Sequence, residues 1–76
     1  MNKQRRKALE DACTVIENLI SDIEMYRDEE QEYFDNMPEN FQNTEKGENA
    51  ENCVSNLEDA ISSLNEALDS INNSIE

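Results

Sequence analysis

Nineteen carboxylates and two cysteines are the groups with chemistry to offer in this 76-residue chain, which has no histidine. Cys13 and Cys53 lie far apart and there is a single glycine, so nucleophile–base pairs, zinc ligand sets and phosphate-cradling loops cannot be assembled from these residues. Paired carboxylates can do acid–base work, but only where a concave, water-poor site separates their pKa values. No such site is expected in the elongated helices described below. The expectation is a protein that is not an enzyme, with no catalytic residue, no cofactor and no metal. Asp28, Glu30, Glu32 and Asp35 are dense enough to raise calcium, yet no glycine falls where the twelve-residue loop of an EF-hand turns. The Asn72-Asn73-Ser74 sequon is idle in a cytoplasmic protein, the location expected here.

The charge is polarised. Lys3, Arg5, Arg6 and Lys7 are four of the six basic residues, and every acidic residue lies from Glu10 onward. Residues 8–76 hold two basic and nineteen acidic side chains, a net −17 within a total of −13. Such a body repels nucleic acid and anionic membranes, and it is drawn to basic protein surfaces by fast, salt-sensitive association. Four cations at one end are too few to neutralise a run of phosphates. No apolar run is long enough for a signal peptide or a membrane span, so a cytosolic protein with reduced thiols is expected.

The elements that would display these groups are helices. The organising stretch is Asp28 to Gly47, which holds the only proline, the only glycine and all but one of the aromatic residues. It is expected to be the corner of a hairpin: helix from about 3 to 36, a connector with a short turn from about 37 to 44, and helix from about 45 to 75. Before the corner, apolar residues recur in alternating steps of three and four as Leu9, Ala12, Ile16, Leu19, Ile23 and Tyr26, then Glu30 interrupts, then Tyr33 and Met37 resume. Val15, Ile20 and Phe34 widen this face, as suits a bundle with more than one neighbour. After it the seam runs unbroken as Ala50, Val54, Leu57, Ile61, Leu64, Leu68, Ile71 and Ile75, flanked by Cys53, Ala60 and Ala67.

In the corner, Asn36 or Met37 is placed to cap a turn with Pro38 at its first helical position, and Met37 and Phe41 are expected to fold back over the open end. Thr44 is the expected N-cap of the second helix, with Glu45 and Glu48 favourable in its first turn and Gly47 weakening it. A hairpin sets Cys13 near Ile71 and Cys53 near Gln31, too far apart for a disulfide. It also brings Arg5, Arg6 and Lys7 toward Asp69 and Glu76, where they offset the negative end of the second helix. The fold class is therefore all-α: two long antiparallel helices in a coiled-coil-like hairpin. A chain this short and only 36% apolar buries a thin core, so it is expected to dimerise into a helical bundle.

The corner, Tyr33 to Glu48, with Phe34-Asp35-Asn36-Met37-Pro38-Glu39 and Thr44-Glu45-Lys46-Gly47-Glu48 as its specific parts, resembles a group of small uncharacterised acidic helical-hairpin proteins of bacteriophages and prophages. The likeness extends from about Asp28 to Leu68. It implies a hairpin, a phage-type origin and a host-cell cytoplasm as the place of action, and it carries no catalytic residue to transfer.

Two functions are expected from these features. The first is a binding protein that inhibits or modulates a host nucleic-acid-handling protein through its negative helical faces, as a DNA mimic of anti-defence type. Its partner-binding residues are Glu10, Asp11, Glu17, Asp22, Glu24, Asp28, Glu29 and Glu32 on the outer side of the first helix, with Phe34 and Phe41 near the corner, and its partner is a host or phage protein with a basic surface. Glu51, Glu58, Asp59, Glu66 and Asp69 add charge on the second helix. The second is a structural or assembly module that pairs with itself, as a homodimer, or with another phage protein through its apolar seam.

Overall fold

The computed structural model describes residues 1–75. Helix α1 spans Lys3–Asp35, a single turn α2 spans Glu39–Gln42, and α3 spans Glu45–Ser74, with no strand among the described residues. The chain is a rod of 58 × 15 × 12 Å with a radius of gyration of 17.3 Å. A compact globule of this length would have about 11 Å.

Each helix end has a local cause. Asn2 holds an extended conformation and its side-chain oxygen accepts from the Arg5 backbone N–H at 2.7 Å, which satisfies one of the donors a helix start leaves open. At the other end Asn36 closes α1 by donating its N–H to Glu32 O at 2.9 Å. Pro38 is the N-cap of α2, not its first helical residue, because its ψ of 143° is extended. The Phe41 N–H donates to the Pro38 carbonyl at 2.8 Å and forms the turn. Thr44 stands at the N-cap of α3, but its hydroxyl donates back to the Phe41 carbonyl and makes no capping bond. The start of α3 relies instead on the carboxylates of Glu45 and Glu48 in its first turn.

The long helices lie in contact along their length. Cys13, early in α1, donates its thiol to Asn72 Oδ1 at 3.5 Å, late in α3. Gln31 and Phe34, late in α1, share a groove with Glu51, Val54 and Ser55, early in α3. From α3 the contact face is Ala50, Val54, Leu57, Ile61, Leu64, Leu68 and Ile71, the seam legible in the sequence, with Cys53 and Ala60 half-buried on its flank and Gly47, outside that seam, buried at its start.

The face of α1 differs from the expected one. Its covered row is Leu9, Cys13, Ile16, Ile20, Ile23, Arg27, Glu30 and Phe34, in steps of four then three, continued by Met37 just beyond its end, with Ala12 and Glu24 half-buried at its edges. Leu19, Tyr26 and Tyr33, expected in the seam, are 45%, 55% and 44% exposed, while Ile20, expected on the flank, is 8% exposed. The helix is rotated by about half a heptad step from the expected register. The observed row sets Cys13, Ile20 and Phe34 against α3 and leaves Tyr26 and Tyr33, whose hydroxyls are polar, in contact with water. The same row admits Arg27, whose long stem covers the seam while its guanidinium reaches Asp28 at 2.9 Å.

The resulting core is thin. Among the described residues only Cys13, Ile20, Ala50 and Val54 are buried apolar side chains, and no large side chain is fully enclosed. The corner is held by polar contacts. The Gln42 side-chain amide donates to the carbonyls of Phe34 at 3.1 Å and Met37 at 3.3 Å, capping the end of α1. Gly47 lies against the main chain of the same residue.

Candidate functional site

The carboxylates expected to bind a partner are displayed by α1, and its length spreads them. Glu10, Asp11, Glu17, Asp22, Asp28, Glu29 and Glu32 are exposed, and Glu24 is half-buried beside the seam. They do not form one track. On the heptad of α1, Glu10, Glu17 and Glu24 fall on a single line seven residues apart, so their spacing along the axis is about 10 Å. Asp22 and Glu29 lie on the opposite flank, in line with the exposed Leu19, Tyr26 and Tyr33. Glu24, Asp28, Glu29 and Glu32 border a shallow groove with Ser21 and Met25. Every one of these groups sits on the same helix, so the structure brings them together only as far as helical spacing does.

Two of them are already paired. Asp11 accepts from Lys7 Nζ at 2.7 Å, one turn before it on α1. This hydrogen bond, followed by the charge of the same carboxylate, raises the Lys7 pKa above its ordinary value. The contribution is present while Lys7 is protonated in both states and is lost as pH rises through the folded value. Asp28 accepts from both Nε and a terminal nitrogen of Arg27 at 3.1 and 2.9 Å. Both ion pairs are local to α1, and among the described residues none joins Arg5, Arg6 or Lys7 to Asp69 as expected. Glu76, the other expected partner, lies outside the described residues.

The aromatic positions separate. Phe34 is half-buried in the seam above Val54 and Ser55, and its carbonyl holds Gln42. Phe41 is 53% exposed and does not plug the open end of the helix pair. It borders an open hollow of about 430 Å³ with Tyr33, Asn36, Met37, Pro38 and Lys46. Lys46 Nζ stands 5.9 Å from the centre of the Tyr33 ring, within cation–π range. This pairing was not visible in the sequence, because thirteen positions and two turns separate the residues. Gln42 was also missed; its role depends on where the corner places it.

No group of three or more acidic or cysteine side chains is arranged to hold a metal ion among the described residues. Both thiols are free, Cys13 buried and Cys53 half-buried. No helix among the described residues is long and apolar enough to cross a membrane. The described residues display carboxylates on the outside of the rod and an uncovered apolar row on α1. Comparison with known protein families, with curated proteins and with solved structures finds no match.

Proposed function

We propose that the protein is an acidic binding module: a helical hairpin with antiparallel arms that inhibits or modulates a nucleic-acid-handling protein by presenting carboxylates to that protein's basic surface. The phage-type origin and anti-defence role implied by the corner sequence belong to this proposal. The antiparallel arrangement is supported by Cys13 meeting Asn72 and by the end of α1 meeting the start of α3. The observation that carries the function is the charge carried on a thin rod: nineteen acidic residues along 58 Å, about one per 3 Å. Duplex DNA carries about one negative charge per 1.7 Å of axis, so a channel built for phosphates would meet a related field.

The experiment is capture from host lysate at low salt, release in about 0.5 M salt, where screening reaches only a few ångströms, and competition by duplex DNA for the captured protein. Capture reversed by salt and by duplex, and weakened when Glu10, Glu17 and Glu24 are changed to Lys, is the expected result. Capture indifferent to salt would exclude a charge-driven mechanism.

A second function has its own supporting observation, the uncovered apolar row of α1. In this form the protein is a coiled-coil assembly module, pairing with itself as a homodimer or with another protein, and its charges keep it in solution.

A further inference from the structure

The row that α1 leaves in solvent is Ala8, Val15, Leu19, Tyr26 and Tyr33, with half-buried Ala12 at its edge, spaced by fours and threes like the covered seam beside it, with Asp22 and Glu29 at the two missing steps. Val15 at 56%, with Leu19, Tyr26 and Tyr33, makes up most of the large exposed apolar side chains of the chain. The row is graded in size, small at Ala8 and Ala12 and aromatic at Tyr26 and Tyr33. It is graded in charge as well: Lys3, Arg5, Arg6 and Lys7 stand at one end of α1, and Asp28, Glu29, Glu32 and Asp35 at the other.

We infer that this row is the contact between two copies of the chain, α1 against α1 in opposite directions, with a two-fold axis midway between Leu19 and Asp22. The inference rests on the self-pairing function above. In this register Ala8 faces Tyr33 of the second copy, Val15 faces Tyr26, Ala12 faces Glu29, and Leu19 faces Asp22. Each aromatic ring meets a smaller side chain, so the layers fill evenly. The basic start of each α1 lies beside the acidic end of the other, and Arg5 comes within a turn of Glu32 of the second copy. Helices running the same way would stack Tyr on Tyr and Ala on Ala and set the four cations of one copy against the four of the other. The two-fold arrangement uses one self-complementary patch on both copies, the commonest oligomer symmetry.

The chain exposes 5589 Å², where a compact chain of 8.8 kDa exposes about 4,800 Å², an excess that follows from its rod shape and that side-by-side pairing would reduce. Pairing two rods side by side also raises the carboxylate density to about that of a duplex.

The test uses the full chain. Light scattering on the native protein should give twice 8.8 kDa. Leu19→Glu should return it to one copy with unchanged helicity, because Leu19 is outside the covered seam. Asp22→Leu should tighten association at least tenfold by giving Leu19 an apolar partner. For direction, Val15→Cys and Tyr26→Cys are made separately with Cys13→Ser and Cys53→Ser. Like positions would stand about 16 Å apart along the axis in the inferred register, beyond disulfide reach. Mixing the two variants should therefore give a cross-linked pair, and neither alone should link to itself.

A single-copy mass at all concentrations, a doubled mass surviving Leu19→Glu, or self-linking of Val15→Cys alone would each overturn the inference. Salt separates this result from the binding proposal. Two chains of charge −13 associate no less tightly as salt rises, whereas capture of a basic protein weakens.

Discussion

Gly47 and Gln42 are in direct main-chain contact: a Cβ on Gly47 would fall 2.7 Å from the Gln42 Cα and 2.6 Å from its carbonyl carbon. The backbone of Gly47 is ordinary helix, with no positive φ, so glycine is required there for space and not for conformation. In an unconstrained helix Gly→Ala would gain about 1 kcal/mol. Here the added methyl meets backbone that cannot rotate away, so Gly47→Ala should lose about 1–3 kcal/mol, comparable to overpacking a core. For a domain of this size that is a fall of several degrees in Tm by circular dichroism, about 4–8 °C per kcal/mol. A rise in Tm would mean that the corner and α3 do not approach this closely.

Gln42 acts through its side chain as well, donating to two carbonyls at the end of α1. Gln42→Ala should cost about 1–2 kcal/mol in urea unfolding, two hydrogen bonds at about 0.5–1.5 kcal/mol each with some relief by water. Gln42→Glu should be worse near neutral pH, since a carboxylate has no donor and repels the negative end of α1. Acidifying below the carboxylate range should bring the Glu variant back toward the Ala variant. Equal stability of all three proteins would remove Gln42 from the account of the corner.

The rotated register of α1 makes neighbouring residues unequal. Ile20→Ala, at a position 8% exposed, should cost about 2–4 kcal/mol and lower stability at every protein concentration. Leu19→Ala should leave the unfolding of a single copy nearly unchanged, within about 0.5 kcal/mol, and act only where copies associate. The reverse order of effects would restore the row that begins Leu9, Ala12, Ile16, Leu19.

The two thiols should react at different rates. Cys13 is buried and bonded to Asn72, so a thiol reagent should modify it at least about tenfold more slowly than Cys53, with modification waiting on local opening. In denaturant the two rates should converge. Oxidation of the native protein should yield no disulfide within a chain.

Charge reversal on α1 distinguishes its two flanks. Changing Glu10, Glu17 and Glu24 to Lys should weaken binding to a basic protein while leaving self-association intact, since these residues lie across the helix from the uncovered row. Phe41→Ala should have the smaller effect on such binding and a negligible one on unfolding, given its exposure.

How far the fold was legible depended on how many apolar rows a helix carries. Helix α3 has one, and its contact residues from Ala50 to Ile71 are those its spacing announces. Helix α1 has two adjacent rows sharing Leu9, Ile16 and Ile23, and spacing alone cannot rank them. The polar hydroxyls of Tyr26 and Tyr33 are the one local feature that favours leaving their row in water. The carboxylates were legible as exposed groups but not as a site, since sequence density along a helix scatters around its circumference.

By itself the sequence determined the helical character of the chain, the punctuation by Pro38 and Gly47, and the strong negative charge, because composition and period act locally. The tertiary structure decided which row of α1 meets α3, why the one glycine stands where it does, and where Gln42 places its amide. Those outcomes depend on distances between segments separated in sequence, and a close backbone approach or a shared hydrogen bond leaves no periodic trace in either segment.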